Sequence, residues 1–336
     1  MRIESLLAVT GGTLLNTPFV SRFDSVALSA KKVERGTLFI AGNREEITDA
    51  VLRGAYGIVA EPPLHVADEE IAWIEVADLQ KALPKILRLW LVDNPRETLL
   101  VSRPVFEFLQ MLHHGGELLF LEGSEEAMSE RVLRSRPDQA IVTFDTLFLE
   151  HVGMPYTRPE TGRPEARVLS RTLFETSLLL EGRFHPHLPL MPCMLPYFLG
   201  ALALLKARSL PWHLSKLDYP GSCRPLFVDS RLRPLPFGAS EKVLLFVNLP
   251  DPCPCIEAFT EAKWTGHTLF LPTHFKPPCD ITFSQITYES VQELLPTLRE
   301  AVKAPGYRIV AGVRPEIFLN AALPPSDTEK KEKGLF

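Results

Sequence analysis

The residues best suited to chemistry follow a short apolar run in the first half of the chain. Glu117–Leu121 (ELLFL) predicts a buried strand, and the tetrapeptide GSEE at 123–126 follows it where a helix should begin. A strand, a glycine turn and a helix N-terminus form the frame of a phosphate-binding loop, because free backbone amides there attract an anion. The lysine of such a loop is missing, and no glycine-x-x-x-x-glycine-lysine string occurs in the sequence. Two carboxylates stand where phosphates would lie.

Two interpretations of this turn remain open. In the first, Ser124 caps the following helix, and Glu125 and Glu126 favour the positive end of that helix. In the second, Gly123 and Ser124 are the remnant of a degenerate phosphate loop whose exposed amides still attract an anion. Serine is among the preferred N-cap residues, which favours the first interpretation.

A second constellation is formed by Cys253, Cys255, His274 and Cys279, whose side chains are of the types that ligate zinc. The Cys-Pro-Cys spacing differs from a zinc knuckle, so these cysteines are expected to be unpaired, buried apolar residues, and no metal site is predicted. The odd total of five cysteines suits a reducing compartment.

The segment GRFHPH at 182–187 brings together Arg183, His185 and His187. The prolines within and after it, Pro186 and Pro189, favour an irregular loop. No catalytic residue is predicted there or elsewhere.

Composition limits the classes of function. Hydrophobic residues at 46% and charged residues at 23% are typical of a globular protein with a substantial core. The mild net charge of −5 gives no support for nucleic-acid binding, which usually requires a basic face, so no nucleic-acid partner is expected. Apolar residues run longest over Cys193–Leu205, which is shorter than the ~20 residues of a membrane span and is therefore predicted to be a buried helix. With no secretory signal recognisable at the N-terminus, we expect a cytoplasmic protein without a membrane span.

The elements that must position these residues alternate between strands and helices, which predicts an α/β fold. The clearest strands are Thr37–Ala41, Gly57–Ala60, Lys242–Val247 and Tyr307–Ala311. Pro84 is expected to kink or shorten its helix, and Pro296 to break another. We expect a small N-terminal α/β domain at 1–92, a shortened central α/β domain at 93–240, a C-terminal Rossmann-like domain at 241–322 and a disordered tail at 323–336.

One segment carries a family resemblance. Lys32–Ala41 (KVERGTLFIA) resembles the lysine-valine-x-x-glycine-x-leucine-phenylalanine-x-alanine segment in the UDP-binding domain of the Mur ligases of peptidoglycan synthesis. Gly11–Gly12, Gly54–Ala55 and the strands after them follow in the order expected for that domain. The member of the family that adds D-alanyl-D-alanine is the most similar.

The resemblance implies a three-part Mur-ligase-like architecture and a set of corresponding residues. Ser29-Ala30-Lys31 corresponds to the family's aspartate-serine-arginine triplet, so Ser29 and Lys31 are candidate contacts on the UDP side. Gly312 and Arg314 lie where the family carries the turn of its C-terminal domain. Gly123 and Ser124 correspond to the family's ATP phosphate loop.

The resemblance and the missing lysine together predict a Mur-ligase-like protein of peptidoglycan-precursor synthesis that is non-catalytic and has a binding, scaffolding or regulatory role. No cofactor is then expected, and the partners are a UDP-muramoyl peptide or cell-wall synthesis proteins. The alternative is a divergent ligase that uses ATP and magnesium to add D-alanyl-D-alanine to UDP-N-acetylmuramoyl-tripeptide. A zinc-stabilised interaction module is a third hypothesis.

Overall fold

The computed structural model describes residues 1–159, 164–249, 251–260, 267–276, 279 and 284–322. These residues form two compact units. The first comprises Met1–Val101 and Gly115–Pro159, and the second comprises Ser102–His114 and the described part of Glu160–Phe336. Across the described ranges, no helix is both long and apolar enough to cross a bilayer. The predicted boundaries at residues 92 and 240 stay predictions, and the predicted tail at 323–336 lies outside the described residues.

The first unit opens with a five-stranded sheet. Its strands are β1 (Thr13–Leu14), β2 (Ser25–Ala27), β3 (Thr37–Ile40), β4 (Gly57–Ala60) and β5 (Ala72–Glu75). Strands β2, β3, β4 and β5 are parallel neighbours, and β1 lies antiparallel to β5 at one edge. The helices of this part are α1 (Ile3–Thr10), α2 (Ile47–Leu52) and α3 (Leu79–Asp93).

The interior strand β3 is apolar at nearly every position because both of its faces are covered. Leu38 and Ile40 join the core that contains α1 and α3, whereas Phe39 joins a second core that contains α2. Alternate side chains of a strand point to opposite faces, so a strand buried on both sides reads as a continuous apolar run. This is why the strand could be predicted from sequence.

A second, three-stranded sheet completes the first unit. It contains β6 (Thr98–Leu100), β7 (Leu118–Leu121) and β8 (Ala140–Thr143), all parallel in the order β6-β8-β7. Between β6 and β7 the chain forms α4 (Arg103–Leu112), which belongs to the second unit. Helices α5 (Glu125–Leu133) and α6 (Thr146–Val152) follow β7 and β8. Both pack against α3, so one continuous core connects the two sheets.

The second unit contains a three-stranded antiparallel sheet and a long apolar helix. The strands β9 (Ala166–Arg171), β10 (Thr176–Leu180) and β11 (Arg183–Leu188) are arranged with β10 in the middle. The expected irregular loop at 183–187 is therefore wrong, because this segment is the edge strand β11, where a proline costs no ladder hydrogen bond. Helix α7 (Leu195–Ala207) packs on α4, with the rings of Phe108 and Phe198 5.6 Å apart.

The last sheet is mostly parallel. Its strands are β12 (Cys223–Val228), β13 (Pro234–Leu235), β14 (Lys242–Val247), β15 (Thr268–Pro272), β16 (Ser284–Tyr288) and β17 (Gly306–Ala311), in the order β13-β12-β14-β17-β15-β16. Strands β14, β17, β15 and β16 are parallel. The helices here are α8 (Cys253–Thr260), α9 (Val291–Ala301) and α10 (Pro315–Ala322).

Two prolines act differently from expectation. Helix α3 is not shortened at Pro84 but continues to Asp93, and helix α9 passes through Pro296 without a break. Each proline removes one backbone hydrogen bond, at a cost of about 3 kcal/mol. The buried residues that flank each proline hold the helix against the core and offset this cost; they are Ala82, Ile86 and Leu87 in α3 and Leu294, Leu295 and Leu298 in α9.

Candidate functional site

In the turn between β7 and α5, a side chain of the turn itself caps the N-terminus of the helix. Gly123 has a φ of +115°, a conformation that favours glycine. Ser124 is the N-cap of α5, and its Oγ accepts a hydrogen bond of 3.3 Å from the backbone N–H of Ala127. Glu125 and Glu126 occupy the first helical turn, where negative charge is favourable. The structure therefore has the cap that the first interpretation of the sequence predicts.

Glu125 is held in place by a residue that the sequence did not indicate. Its Oε1 lies 2.9 Å from Nδ1 of His151, in the last turn of α6. The two side chains are 41% and 54% exposed, so this pair stabilises the fold by at most about 1 kcal/mol even when the histidine is protonated. Its main effect is to fix one carboxylate at the start of α5.

A cleft of about 570 Å³ opens beside this turn, entirely within the first unit. We call it the acidic cleft; its lining residues are Leu28, Ile40, Gly42, Glu61, Leu79, Gln80, Leu83, Ser124, Glu125, Glu126 and His151. Leucine and isoleucine side chains provide its apolar wall. Three of the lining residues are glutamates, and none is a lysine or an arginine.

Helix α3 also borders the acidic cleft, and backbone N–H groups at its start likewise donate hydrogen bonds to side-chain oxygens of the chain. The Oε1 atom of Glu61 accepts a 2.8 Å hydrogen bond from the N–H of Leu79, the first residue of α3. The side chain of Asp78, the N-cap of α3, accepts another from the N–H of Lys81. Hydrogen bonding to Lys81 is also the main reason why the pKa of Asp78 lies below its ordinary value. Two amides at the start of α3 and one at the start of α5 thus already have acceptors from the chain.

The candidate UDP-side residues lie at a short 3-10 turn, Ala30–Lys32. Ser29 precedes this turn, and its side chain makes no capping hydrogen bond. The N–H of Ala30 donates a 2.6 Å hydrogen bond to the carboxylate of Glu46, and Lys31 is exposed. Neither Ser29 nor Lys31 is among the residues that line the acidic cleft, although their neighbour Leu28 is.

The candidate residues of the C-terminal turn lie in the second unit, directly after β17. Gly312 has a φ of +76°, and a Cβ at this position would lie 2.6 Å from Cγ of Pro272. It lines a cleft of about 440 Å³ together with Tyr288 and His274, whereas Arg314 is half-buried and lies outside that lining. Tyr288 donates its hydroxyl hydrogen to the carbonyl of Ala311, and burial raises its pKa to about 12.

The cysteines are paired, contrary to expectation. Disulfides join Cys193 to Cys255 and Cys253 to Cys279, so the four-residue zinc constellation with His274 is not formed. Cys223 is a buried free thiol, and burial raises its pKa well above the usual range. The pairing was not evident from sequence because the bonded residues are 62 and 26 positions apart.

Comparison with known proteins defines the fold. The sequence matches no protein-family profile and no curated protein. Among solved structures, it is similar to MurF ligase from Thermotoga maritima in complex with ADP, with 12% identity, 92% of this chain and 98% of that chain covered, and a TM-score of 0.50. MurF from Acinetobacter baumannii has 11% identity, coverage of 96% and 97%, and a TM-score of 0.49.

The architecture places this chain in the class of α/β proteins built from several sheets with parallel strands and covering helices. Within that class, the fold is Mur-ligase-like, as the likeness to the Thermotoga structure over most of both chains shows. The resemblance predicted from Lys32–Ala41 is thereby confirmed at the level of fold.

Proposed function

We propose that this chain is a non-catalytic, Mur-ligase-like binding protein of peptidoglycan-precursor synthesis, with no ATP-phosphate site at the β7–α5 turn. The observation that carries the proposal is the hydrogen bond from the Ala127 N–H to the Ser124 hydroxyl. In a phosphate loop, amides at a helix N-terminus must be free to face the phosphate oxygens. Here one of them already has an acceptor in the chain.

Charge supports the same conclusion. Glu125 and Glu126 belong to the first turn of α5, and both line the acidic cleft together with Glu61. Two like charges about 4 Å apart repel by about 1 kcal/mol in water and about 4 kcal/mol near a protein surface. A nucleotide phosphate in this cleft would meet several such repulsions, and no lysine or arginine of the lining would offset them.

For the binding role, we propose a UDP-muramoyl peptide as the ligand and Ser29 and Lys31 as contacts on its UDP side. The family resemblance of the segment around these residues supports this choice, and the exposed ammonium of Lys31 suits a diphosphate. A protein of cell-wall synthesis is the other partner that a scaffolding role would require. Gly312 and Arg314 are proposed as retained parts of the C-terminal turn.

Calorimetry with a UDP-muramoyl tripeptide tests the ligand. We expect Lys31→Ala to weaken binding slightly more than tenfold, the effect of losing one charge-assisted hydrogen bond of about 1.5 kcal/mol. Lys85→Ala is the matched control, because Lys85 is another exposed lysine of the first unit outside the candidate site. Equal weakening by both substitutions, or no binding by the wild-type chain, would contradict the choice of ligand.

A turnover assay tests the non-catalytic assignment. Purified protein is incubated with Mg-ATP, UDP-muramoyl tripeptide and D-alanyl-D-alanine, and ADP is measured. We expect no ADP formation that depends on both acceptor substrates. If such formation occurs and is lost in Ser124→Ala, the chain is the alternative, a divergent ligase that uses ATP and magnesium. ADP formation that does not depend on the acceptor substrates identifies a contaminating ATPase, whereas acceptor-dependent formation that persists in Ser124→Ala still contradicts the non-catalytic assignment.

A further inference from the structure

All five cysteines of the chain come together in the second unit, although they belong to four separate segments. Cys193 lies in a 3-10 turn before α7, and Cys223 begins β12. Cys253 and Cys255 lie in the first turn of α8, and Cys279 lies between β15 and β16. Two disulfides pair four of these cysteines, and the fifth, Cys223, lies beside one of the two bonds.

Three of these residues have their sulfur atoms in one buried group. The Sγ atoms of Cys193, Cys223 and Cys255 all lie within 4.8 Å of one another. Cys223 Sγ is 3.6 Å from Cys255 Sγ and 3.6 Å from Sδ of Met191. Cys223, Cys255 and Met191 are at most 1% exposed, and Cys193 is half-buried. We call these four residues the sulfur cluster.

The spacing of the sulfur cluster suits a metal ion. A metal–thiolate bond of about 2.3 Å places the sulfurs of a tetrahedral or trigonal site about 3.7–4.0 Å apart. The 3.6 Å separation of Cys223 and Cys255 is close to this value. The sulfurs of Cys193 and Cys255 are bonded to each other in the structure, so they must move apart to this distance once the disulfide is reduced. Thiolate and thioether donors select soft cations such as Cu⁺, and thiolates also bind Zn²⁺.

We propose that the sulfur cluster is a redox-gated binding site for one thiophilic d¹⁰ cation, Cu⁺ or Zn²⁺. In the structure, the disulfide between Cys193 and Cys255 removes two of the three thiolate donors. A dithiol reductant opens this bond by thiol–disulfide exchange: it becomes a disulfide itself, and both cysteines become thiols. The cation then binds and releases protons from the cysteine thiols that ligate it. The reverse exchange with a disulfide oxidant, which takes up two electrons and leaves as two thiols, re-forms the Cys193–Cys255 bond and releases the ion.

The two cations differ in what they require from the cluster. The Met191 thioether is a neutral, soft donor, which favours Cu⁺. Three thiolates leave a smaller net charge on Zn²⁺ than on Cu⁺, and a small net charge is easier to bury. Both ions depend on Cys223, the one thiol of the three that the disulfide leaves free.

The test uses the full-length protein, reduced with a phosphine, desalted without oxygen and titrated with each ion against a chromophoric chelator. We expect one equivalent of Cu⁺ or Zn²⁺ to bind, and at least about a tenfold loss of affinity in Cys223→Ala. Oxidation with diamide should abolish binding, and renewed reduction should restore it. Cys253→Ser/Cys279→Ser is the matched control, because it removes two cysteines outside the cluster.

Several results would overturn the proposal. Reduced wild-type protein that binds neither ion with one-to-one stoichiometry would show that the cysteines are only structural. Unchanged affinity in Cys223→Ala, or an equal loss in the control variant, would place the metal elsewhere. Circular dichroism establishes that each variant is folded. Should Cys223→Ala not fold, Co²⁺ bound to the wild-type protein must give sulfur-to-metal charge-transfer absorption, and its absence overturns the site.

Discussion

Removal of the Ser124 hydroxyl tests whether this side chain caps helix α5 at the β7–α5 turn. In Ser124→Ala, the N–H of Ala127 loses its 3.3 Å hydrogen bond, and α5 loses its N-cap. Replacement of an N-cap serine by alanine costs about 0.5–2 kcal/mol. The bond is long and exposed, so water partly replaces it, and we expect the lower half of that range, about 0.5–1 kcal/mol. Local opening of α5 should then become about two- to fivefold more frequent.

Hydrogen exchange read by mass spectrometry measures this opening directly. Peptic fragments that contain the first turn of α5 should exchange about two- to fivefold faster in Ser124→Ala. Fragments from α9, which Ser290 caps in the second unit, should be unchanged and act as an internal reference. Ser124→Asp is the matched control, because aspartate is an N-cap of comparable strength and should keep the wild-type rate.

Two outcomes would refute the capping role. The first is exchange of α5 in Ser124→Ala at the wild-type rate, which would mean that the hydroxyl contributes nothing to the helix. Alternatively, Ser124→Asp could accelerate exchange as much as Ser124→Ala does. Either result would leave the serine hydroxyl available to a ligand and would favour a remnant phosphate loop.

Two further predictions concern the second unit. In urea unfolding, Gly312→Ala should destabilise the second unit by about 1–3 kcal/mol more than Gly182→Ala. Both glycines have φ near +75°, but only a Cβ at position 312 would lie 2.6 Å from Cγ of Pro272. Equal losses in the two variants would exclude the clash. Burial raises the pKa of Tyr288 to about 12, above its unfolded value of about 10. The stability that the neutral phenol contributes is therefore complete below about pH 10 and is lost as the pH rises towards about 12. Tyr288→Phe should lose less stability over this range, measured by urea midpoints, and an unchanged alkaline loss would contradict this role.

Much of the scaffold could be predicted because local signals and tertiary packing agree. Lys242–Val247 is a strand with the predicted bounds, since a buried parallel strand is apolar throughout. The apolar segment after Cys193 is the helix α7, as its length predicted. Ser124 is an N-cap, as its residue type before a helical pattern indicated.

Other features depend on contacts between distant segments, which a single sequence does not encode locally. Strand β11 has no alternating apolar pattern, because an edge strand with exposed faces does not need one. The pairing of Glu125 with His151 joins two helices through tertiary packing. The acidic cleft likewise combines residues of β3, α3, α5 and α6, which are far apart in the sequence. The sequence pattern indicated its glutamates only at the β7–α5 turn.

Calorimetric titration of the full-length protein with Mg-ATP tests the central claim, that the β7–α5 turn holds no nucleotide phosphate. We predict no measurable heat of binding at millimolar ATP, and none in the matched variants Ser124→Ala and Glu125→Gln/Glu126→Gln. Micromolar ATP affinity in the wild-type protein that is abolished in Ser124→Ala would contradict the claim and identify the turn as a divergent phosphate loop.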